Sequence, residues 1–120
     1  MEKLTEHEEK AMLAVWKAGP GFIKDFMAEM QEPKLPYTTV ASTIKNLERK
    51  EYSRGEKIAN AIRYSPIIKE AEYKKRFLHG VVNDFFKSSY KDVVAFFAKD
   101  KKISAAELKE IIRLIENPKK

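Results

Sequence analysis

The sequence predicts a mainly α-helical protein with one small β-hairpin between two helical parts. Apolar residues recur at helical spacing along most of the 120 residues, which is the pattern of amphipathic helices. Between residues 52 and 65 the pattern changes to the short alternation that is typical of strands. Three helices precede this hairpin and three follow it, so we expect two domains, residues 1–67 and residues 68–120.

The composition excludes several classes of protein. Apolar residues make up 43% of the chain, which is enough for a core, and there is no cysteine. The lack of cysteine excludes disulfides, thiolate zinc sites and cysteine nucleophiles, and it fits a reducing cytoplasm. The sequence contains no recognisable signal peptide and no apolar stretch near the roughly 20 residues that a membrane span needs. We therefore expect a cytoplasmic protein without membrane insertion.

Two short helices are predicted at the start of the chain. Thr5 and Glu8 have the spacing of a capping box, in which each side chain bonds the other residue's backbone amide. Gly19-Pro20-Gly21 then ends the first helix. The apolar stripes that we expect to face the core are Ala11, Met12, Val15 and Trp16 in the first helix and Ile23, Phe26, Met27 and Met30 in the second.

The third helix, predicted for residues 35–50, has two different faces. Val40, Ile44 and Leu47 lie at i, i+4 and i+7 and form the face that we expect to be buried. The opposite face carries short polar side chains followed by cations, at Thr38, Ser42, Lys45 and Arg49. A helix that enters the DNA major groove needs this order, with small hydrogen-bonding groups at the bases and cations at the phosphates. The alternative is an ordinary solvated surface helix.

Two short strands are predicted directly behind this helix, at residues 52–57 and 61–65. Asn60, between them, is the residue best suited to a left-handed turn conformation. Three helices and a hairpin in this order form a winged helix-turn-helix, with the hairpin as the wing. The wing carries three cations that could bind phosphates, Arg54, Lys57 and Arg63. The alternative is a surface hairpin with solvated charges.

The net charge of +6 is unevenly distributed. Residues 1–33 carry four basic and seven acidic side chains, a net of −3. Residues 34–67 carry seven basic and three acidic side chains, a net of +4, and residues 68–120 carry thirteen and eight, a net of +5. The basic charge thus begins at the third helix, as expected of a protein that binds a polyanion.

The C-terminal part predicts three helices with more apolar surface than they can bury among themselves. They are predicted at residues 69–87, around residues 90–99, and from Ser104, which forms a second capping box with Glu107. Exposed apolar surface of this extent usually marks an interface, so we expect a homodimer formed mainly by residues 69–116. The alternative is one monomeric core in which these helices fold back on the first half. The side chains expected at the dimer interface are Tyr73, Phe77, Val81, Phe85, Phe96, Phe97, Leu108, Ile111, Ile112 and Ile115.

Several short motifs follow one another in an order that is specific as a set. They are Leu4-Thr5, Met12, Val15-Trp16, Gly19-Pro20, Tyr37-Thr38-Thr39-Val40, Leu47-Glu48-Arg49-Lys50, Tyr64-Ser65-Pro66, Tyr73, Phe85-Phe86, and Ser104 with Glu107-Leu108. In this order and spacing, over roughly residues 4–116, they resemble the penicillinase repressor family, the BlaI/MecI type with the related CopY copper repressors.

This resemblance implies a winged-helix DNA-binding domain followed by an α-helical dimerisation domain. It implies a homodimeric transcriptional repressor that binds an inverted-repeat DNA operator, often with TACA and TGTA half-sites. In the antibiotic-sensing branch, a membrane-bound sensor metalloprotease signals the β-lactam, and the repressor is then cleaved in its dimerisation region. The cleaved bond of those members corresponds to Phe96-Phe97 in this sequence.

The chain departs from the family pattern at several positions. Glu51 stands where the family commonly has glycine, so we expect a different turn between the third helix and the wing. The wing-tip glycine is replaced near Ala59-Asn60. Ala41 stands where antibiotic-resistance members often carry Gln or Arg, so we expect a different operator. Phe96 replaces the asparagine of the cleaved bond, which argues against the same cleavage, and the lack of cysteine argues against the copper branch.

The candidate DNA contacts divide into two groups. Base contacts are expected from Thr38, Thr39, Ala41 and Ser42, with the Ala41 methyl group positioned for a thymine. Phosphate contacts are expected from Tyr37, Lys45, Arg49, Arg54, Lys57 and Arg63. Tyr37 is alternatively a core residue.

No catalytic motif, metal site or cofactor is predicted. His7 and His79, the two histidines, lie in different domains and lack a partner at a metal-binding spacing. The leading hypothesis is a dimeric DNA-binding repressor. The second is a winged-helix protein-interaction adaptor that does not read DNA sequence, and the third is a non-specific architectural DNA binder.

Overall fold

A computed structural model describes residues 2–116, with side chains described as far as residue 113. The elements are α1 (Glu6–Ala18), α2 (Ile23–Glu29), α3 (Tyr37–Arg49), β1 (Ser53–Ile58), β2 (Ala61–Pro66), α4 (Glu70–Phe85), α5 (Tyr90–Lys99) and α6 (Ala105–Glu116). The predicted fold class is confirmed, since three helices precede a two-stranded antiparallel hairpin and further helices follow it. The first part is a winged helix.

The chain divides into two compact units, Met1–Lys74 and Lys75–Lys120. We refer to them as unit 1 and unit 2. The division falls inside α4, further along the chain than the domain boundary predicted after residue 67.

The core of unit 1 lies between α1, α2 and α3. Its largest fully buried side chains are Met12, Val15, Phe26, Val40, Ile44 and Leu47. All six belong to the predicted apolar stripes, and Trp16, Met27 and Met30 pack against them half-buried. Burying a large apolar side chain contributes about 1.5–3 kcal/mol, so these stripes supply most of the driving force for bringing the three helices together.

The first turn of α1 is closed by the predicted capping box. The Thr5 hydroxyl accepts a hydrogen bond from the Glu8 amide at 3.2 Å, and the Glu8 carboxylate accepts one from the Thr5 amide at 2.9 Å. The helix ends at Gly19, which has a positive φ of 79° and whose amide donates to the Val15 carbonyl. Both ends of α1 therefore follow from local sequence.

An aromatic cluster of Trp16, Tyr52 and Tyr73 attaches the start of α4 to unit 1. The Tyr73 ring centroid lies 5.3 Å from that of Trp16 and 5.8 Å from that of Tyr52. The Tyr73 hydroxyl donates to the Glu9 carboxylate at 3.2 Å, and burial together with this carboxylate raises the pKa of Tyr73 to about 12. Tyr73, which we predicted at the dimer interface, is half-buried and packs against the core of unit 1.

The turn between α3 and β1 keeps the conformation that glycine favours, although it contains Glu51. The Glu51 amide donates to the Glu48 carbonyl and the Tyr52 amide donates to the Leu47 carbonyl, which is the bonding pattern of a Schellman motif. Glu51 accordingly has a positive φ of 68°. The backbone bonds and the buried Leu47 and Tyr52 side chains thus hold a residue other than glycine in the left-handed conformation.

The wing has a tight two-residue turn, and the residue with a positive φ in it is not the one that we predicted. Ile58 pairs with Ala61, which leaves Ala59 and Asn60 as the turn. Ala59 has the positive φ of 55°, whereas Asn60 was expected to take this conformation. The register of the strands determines which residue must be left-handed, and this register places the requirement on Ala59.

Unit 2 contains the rest of α4 together with α5 and α6. Val82 is its one buried apolar side chain among the described residues, and the Phe86 and Phe96 rings lie 5.9 Å apart. The predicted capping box of α6 is present, since the Ser104 hydroxyl accepts from the Glu107 amide and the Glu107 carboxylate accepts from the Ser104 amide. The helical boundaries of this unit thus follow local signals, while its apolar residues remain largely uncovered.

Replacing Glu51 with glycine should stabilise the protein. Glycine adopts a positive φ without the steric cost that a side chain incurs, and it removes a negative charge from the C-terminal end of α3. We expect the free energy of unfolding to rise by about 0.5–1 kcal/mol in urea titrations followed by circular dichroism. The isosteric control Glu51→Gln removes only the charge and should give a smaller gain. Equal gains from both variants would contradict a conformational origin.

Candidate nucleic-acid interface

The polar face of α3 is open to solvent along its length. Val40, Ile44 and Leu47 are fully buried, which turns the opposite side of the helix outward. The exposed residues on that side are Thr38, Ser42, Lys45, Asn46 and Arg49. Hydroxyl groups occupy the first half of this face and cations the second half, so the structure presents the predicted order of groups to a ligand in solution.

The four predicted base-contacting residues are not equally accessible. Thr38 and Ser42 are exposed, whereas Thr39 and Ala41 are half-buried, and Ala41 packs against the core. The Ser42 hydroxyl donates to the Thr39 carbonyl at 3.1 Å. Because this bond uses the hydroxyl proton, Ser42 is left with acceptor capacity for a donor such as a base amino group.

Tyr37 lies at the start of α3 near the wing. Its side chain is 50% exposed, so it is not among the core residues. Tyr64 on β2 is buried, and burial raises its pKa, with further increases from the Glu48 carboxylate and from Tyr37. The side of α3 that carries Tyr37 and Glu48 therefore lies near Tyr64 on the wing.

The wing distributes its three predicted phosphate contacts over two faces. Side chains alternate along each strand, and Arg54 pairs with Ser65 while Lys57 pairs with Ile62. Arg54 and Arg63 consequently share the outer face. Lys57 lies on the inner face, which also carries Tyr64. The sequence predicted all three cations on the wing but not this division between its faces.

The base of the wing is attached at two points. Gly21 and Tyr64 exchange two backbone hydrogen bonds of 3.0 and 2.7 Å. On the other strand, the Gly55 amide donates to the Glu48 carboxylate of α3 at 3.3 Å. A Cβ at Gly55 would lie 2.9 Å from Ile62 Cγ2, so only glycine permits this close packing. Sequence reasoning missed the Glu48 contact, which no local spacing indicates.

The arrangement of α3 and the wing agrees with a comparison against known families. The family model of the penicillinase repressors matches residues 4–117, nearly the whole chain. The chain belongs to the penicillinase repressor family. This is a regulatory DNA-binding family, and membership supports a transcriptional repressor. The chain matches none of the curated proteins compared with it.

A buried ion pair joins the C-terminal end of α3 to the N-terminal end of α1. Lys50 Nζ lies 2.6 Å from Glu8 Oε1, and the two side chains are 8% and 6% exposed. The same ammonium group also donates to the Lys3 carbonyl at 2.8 Å. Burial raises the pKa of Glu8, but the hydrogen bonds and charge of Lys50, with bonds from Thr5, outweigh it and hold the pKa below 4.5.

A second lysine fixes the turn that leads into α3. Lys34 Nζ donates to the Met27 carbonyl at 2.8 Å and also to the Met30 carbonyl. These carbonyls lie at the C-terminal end of α2, where the helix dipole favours a cation. The Lys34 ammonium group thus binds two protein carbonyls, and that of Lys50 binds a carboxylate and a carbonyl, which counting charges along the sequence cannot predict.

The predicted dimer residues of unit 2 are mostly exposed on this chain. Those exposed are Phe77, Phe85, Phe96, Phe97, Ile111 and Ile112, while Val81 and Leu108 are half-buried. Leu78, Tyr90 and Val94 are exposed as well, although we did not predict them at the dimer interface. The side chain of Ile115 lies outside the described part of the chain. Unit 2 therefore presents apolar surface from all three of its helices.

Other kinds of site find no support in the described residues. Between residues 2 and 116, no helix is both long enough and apolar enough to span a bilayer. The described part of the chain also brings together no group of three or more histidine and carboxylate side chains that could hold a metal ion. His79 Nδ1 lies 3.2 Å from the Tyr90 hydroxyl on the surface of unit 2, and His7 is exposed.

Replacing one partner of the Lys50–Glu8 ion pair should strongly destabilise the protein. Lys50→Met leaves a buried carboxylate without its cation, and we expect a loss of about 3 kcal/mol at pH 7 in urea titrations. The double variant Lys50→Met/Glu8→Gln removes both charges and should recover part of this loss. If the double variant is no more stable than Lys50→Met alone, the loss does not come from an unpaired Glu8 carboxylate.

The pH dependence gives an independent check on the same pair. The pKa of Glu8 is lowered on folding, so its stabilising contribution is present above pH 4.5 and is lost as the pH falls through the lower folded value. In Lys50→Met only the bonds from Thr5 oppose burial, so the pKa of Glu8 is higher than in the wild type. The deficit of the variant relative to the wild type should therefore shrink as the pH falls through this higher pKa and then through the lower pKa of the wild type.

Proposed function

We propose that this member of the penicillinase repressor family is a homodimer that represses transcription by binding an inverted-repeat DNA operator. The observation that carries the proposal is α3, whose buried apolar face holds a polar and then basic face outward beside the wing. Each protomer would place one α3 in the major groove of one half-site. Two-fold symmetry of the protein then matches the symmetry of the operator.

Base recognition is assigned to the first half of α3. Thr38 and Ser42 have exposed hydroxyl groups, and we place them at the base edges, with Thr39 and Ala41 at the margin of the contact because both are half-buried. The Ala41 methyl group suits contact with a thymine methyl more than any hydrogen bond. The preferred operator is accordingly expected to differ from that of family members with a long polar side chain there.

Phosphate contacts are assigned to the surrounding cations and to Tyr37. Lys45 and Arg49 extend from the second half of α3, while Arg54, Lys57 and Arg63 extend from the two faces of the wing. Residues 34–67 carry a net charge of +4, so this region attracts DNA as a whole. Binding through these groups should weaken steeply as salt concentration rises.

Dimerisation is assigned to unit 2. Its helices leave large apolar side chains exposed, including Phe85 at 77% and Phe96 at 58%. A soluble monomer rarely leaves so many of them uncovered within some 40 residues, and a second copy provides an identical apolar surface to cover them. Tyr73, the remaining residue predicted at this interface, lies in unit 1, where its ring packs on Trp16 and Tyr52.

Family resemblance extends the proposal to relief of repression by proteolysis, signalled by a membrane-bound sensor metalloprotease. The corresponding bond, Phe96-Phe97, lies inside α5 (Tyr90–Lys99). Both side chains are exposed, but the backbone is helical, so α5 must open locally before a protease can bind an extended segment. Cleavage there would cut through the proposed dimer surface.

Substitutions in α3 and in the wing should affect DNA binding differently. Ser42→Ala is expected to reduce the preference for the operator over random DNA by about tenfold, because one base contact is lost. Arg54→Ala should weaken binding to all sequences alike and reduce the slope of log affinity against log salt by about 1. Gel-shift titrations with DNA from upstream of the protein's own gene measure both.

The contradicting outcome is a wild-type protein that binds this DNA no better than random DNA at low salt. If the protein binds DNA without sequence preference, the result supports a non-specific architectural DNA binder. If it does not bind DNA and a protein partner is found whose affinity is insensitive to salt, the result supports a protein-interaction adaptor.

Phe85→Asp should dissociate the proposed dimer. A carboxylate on the apolar surface would be buried without a partner, so we expect light scattering at micromolar concentration to show a monomer and operator affinity to fall about tenfold or more. Leu13→Asp is the matched control, because Leu13 is 51% exposed but lies on α1 of unit 1. A wild-type protein that is already monomeric at micromolar concentration would overturn the dimer.

A further inference from the structure

The helix α5 of unit 2 is bounded on both sides by residues in a left-handed backbone conformation. Lys87 and Ser88, before the helix, have φ values of 50° and 66°, and Lys101, after it, has a φ of 60°. A side chain makes this conformation sterically costly, and neither lysine nor serine is among the residue types that tolerate it best. Both connections of α5 to its neighbours therefore store backbone strain.

Backbone hydrogen bonds impose these conformations. Before α5, the Ser88 amide donates to the Val82 carbonyl of α4 at 3.0 Å. After α5, the Lys102 amide donates to the Phe97 carbonyl at 2.8 Å, as in a Schellman motif, which requires a left-handed residue at Lys101. The strain is thus present only while these bonds hold, and it is released when α5 opens.

The packing of α5 does little to offset this strain. All ten residues of the helix are described, and none of them is buried. The Phe96 ring lies 5.9 Å from the Phe86 ring of the preceding turn, yet Phe96 remains exposed. A helix of this length is marginal by itself in water, because most helical stability in proteins comes from packing. The neighbouring α4, by contrast, has sixteen residues and buries Val82.

One side of α5 is an exposed apolar stripe. Tyr90, Val94 and Phe97 lie at i, i+4 and i+7, so they project from the same side of the helix, and all three are exposed. Together with Phe85 at the end of α4, they belong to the apolar surface to which we assign dimerisation. A second copy brings the same stripe to this surface by two-fold symmetry, so it can cover α5.

We propose that α5 opens separately from the rest of the single chain and that dimerisation closes it. Opening relieves the strain at Lys87, Ser88 and Lys101 and breaks few packing contacts, so a substantial fraction of single chains has α5 unfolded. A second copy binds the folded stripe and shifts the population to the closed form. The inference rests on the proposed function, because it requires unit 2 to dimerise.

The coupling has a consequence for the strength of the dimer. Only chains with a closed α5 present the whole apolar surface, so the apparent dissociation constant is raised by the fraction of chains that is open. Both copies must close, so this fraction enters twice. The dimer therefore dissociates at a higher protein concentration than the same surface would if α5 were already folded.

The experiment measures amide hydrogen exchange by mass spectrometry in the full-length protein, below and above the dimer midpoint found by light scattering. Below the midpoint, we expect the amides of residues 93–99 to exchange about tenfold faster than those around Val82. Above it, exchange in α5 should slow as the dimer fraction rises, while exchange in α1 stays the same. Phe85→Asp, which should be monomeric, should exchange in α5 like the diluted wild type at every concentration.

Glycine variants test whether backbone strain opens the helix. Lys101→Gly and the double variant Lys87→Gly/Ser88→Gly remove the steric cost of the left-handed conformation. Each should slow exchange in α5 of the single chain about threefold and lower the dissociation constant of the dimer about threefold, because the closed form becomes more populated. Lys102→Gly is the matched control, since it removes the same charge at the adjacent position, whose φ is not positive. It should not protect α5.

Two outcomes overturn the inference and can be told apart. If the wild type dimerises but α5 exchanges equally fast below and above the midpoint, or if the glycine variants at left-handed positions match Lys102→Gly, the coupling is wrong and the proposed dimer stands. If light scattering shows a monomer at every concentration, the proposed dimer and the coupling both fail. Should the double variant be unfolded by circular dichroism, Lys101→Gly decides the question alone.

Discussion

The ion pair between Lys50 and Glu8 is the constraint on which the presentation of α3 depends. One carboxylate closes the first turn of α1 through the Thr5 amide and accepts the ammonium group at the end of α3. Because a buried charge is costly without its partner, α3 cannot move relative to α1 without a large loss of stability. The pair therefore holds the polar face of α3 in one position.

The wing depends on the same end of α3. The Schellman turn at Glu51 directs the chain from Lys50 into β1, and the Glu48 carboxylate then binds the Gly55 amide. Helix and hairpin are consequently connected through adjacent residues of one helical turn. The proposed DNA-binding surface therefore combines the hydroxyl groups and cations of α3 with the cations of a wing that is bonded to the same helix.

The features that were predicted correctly depend on residues close together in the sequence. The features that were missed depend on contacts between residues far apart in the sequence. Both capping boxes, at Thr5 and at Ser104, and the apolar stripes of the first three helices were confirmed because they depend on spacings of three or four residues. Lys50 and Glu8 are 42 residues apart, so no local pattern joins them. Likewise, Tyr73 carries the spacing of an interface residue, and only its packing on Trp16 assigns it to unit 1.

Glu51 and Ala59, which both have a positive φ, show that the backbone conformation was also not predictable from residue type alone. Asn60 was preferred over Ala59 for the wing turn on residue preference, and Glu51 was expected to change the turn after α3. In both places the hydrogen-bonding register imposed the conformation on the residue that occupied the position. The three cations of the wing were predicted from sequence, whereas their division between two faces of the wing depends on the strand register.

The aromatic cluster has a practical consequence for following this protein in solution. Trp16 is the only tryptophan of the chain, and its indole N–H donates to the Ile68 carbonyl at 2.9 Å beside Tyr73. Its fluorescence therefore depends on the contact between α1 and the segment that follows β2. Unit 2 contributes no tryptophan emission, so the native chain already carries an optical label confined to unit 1.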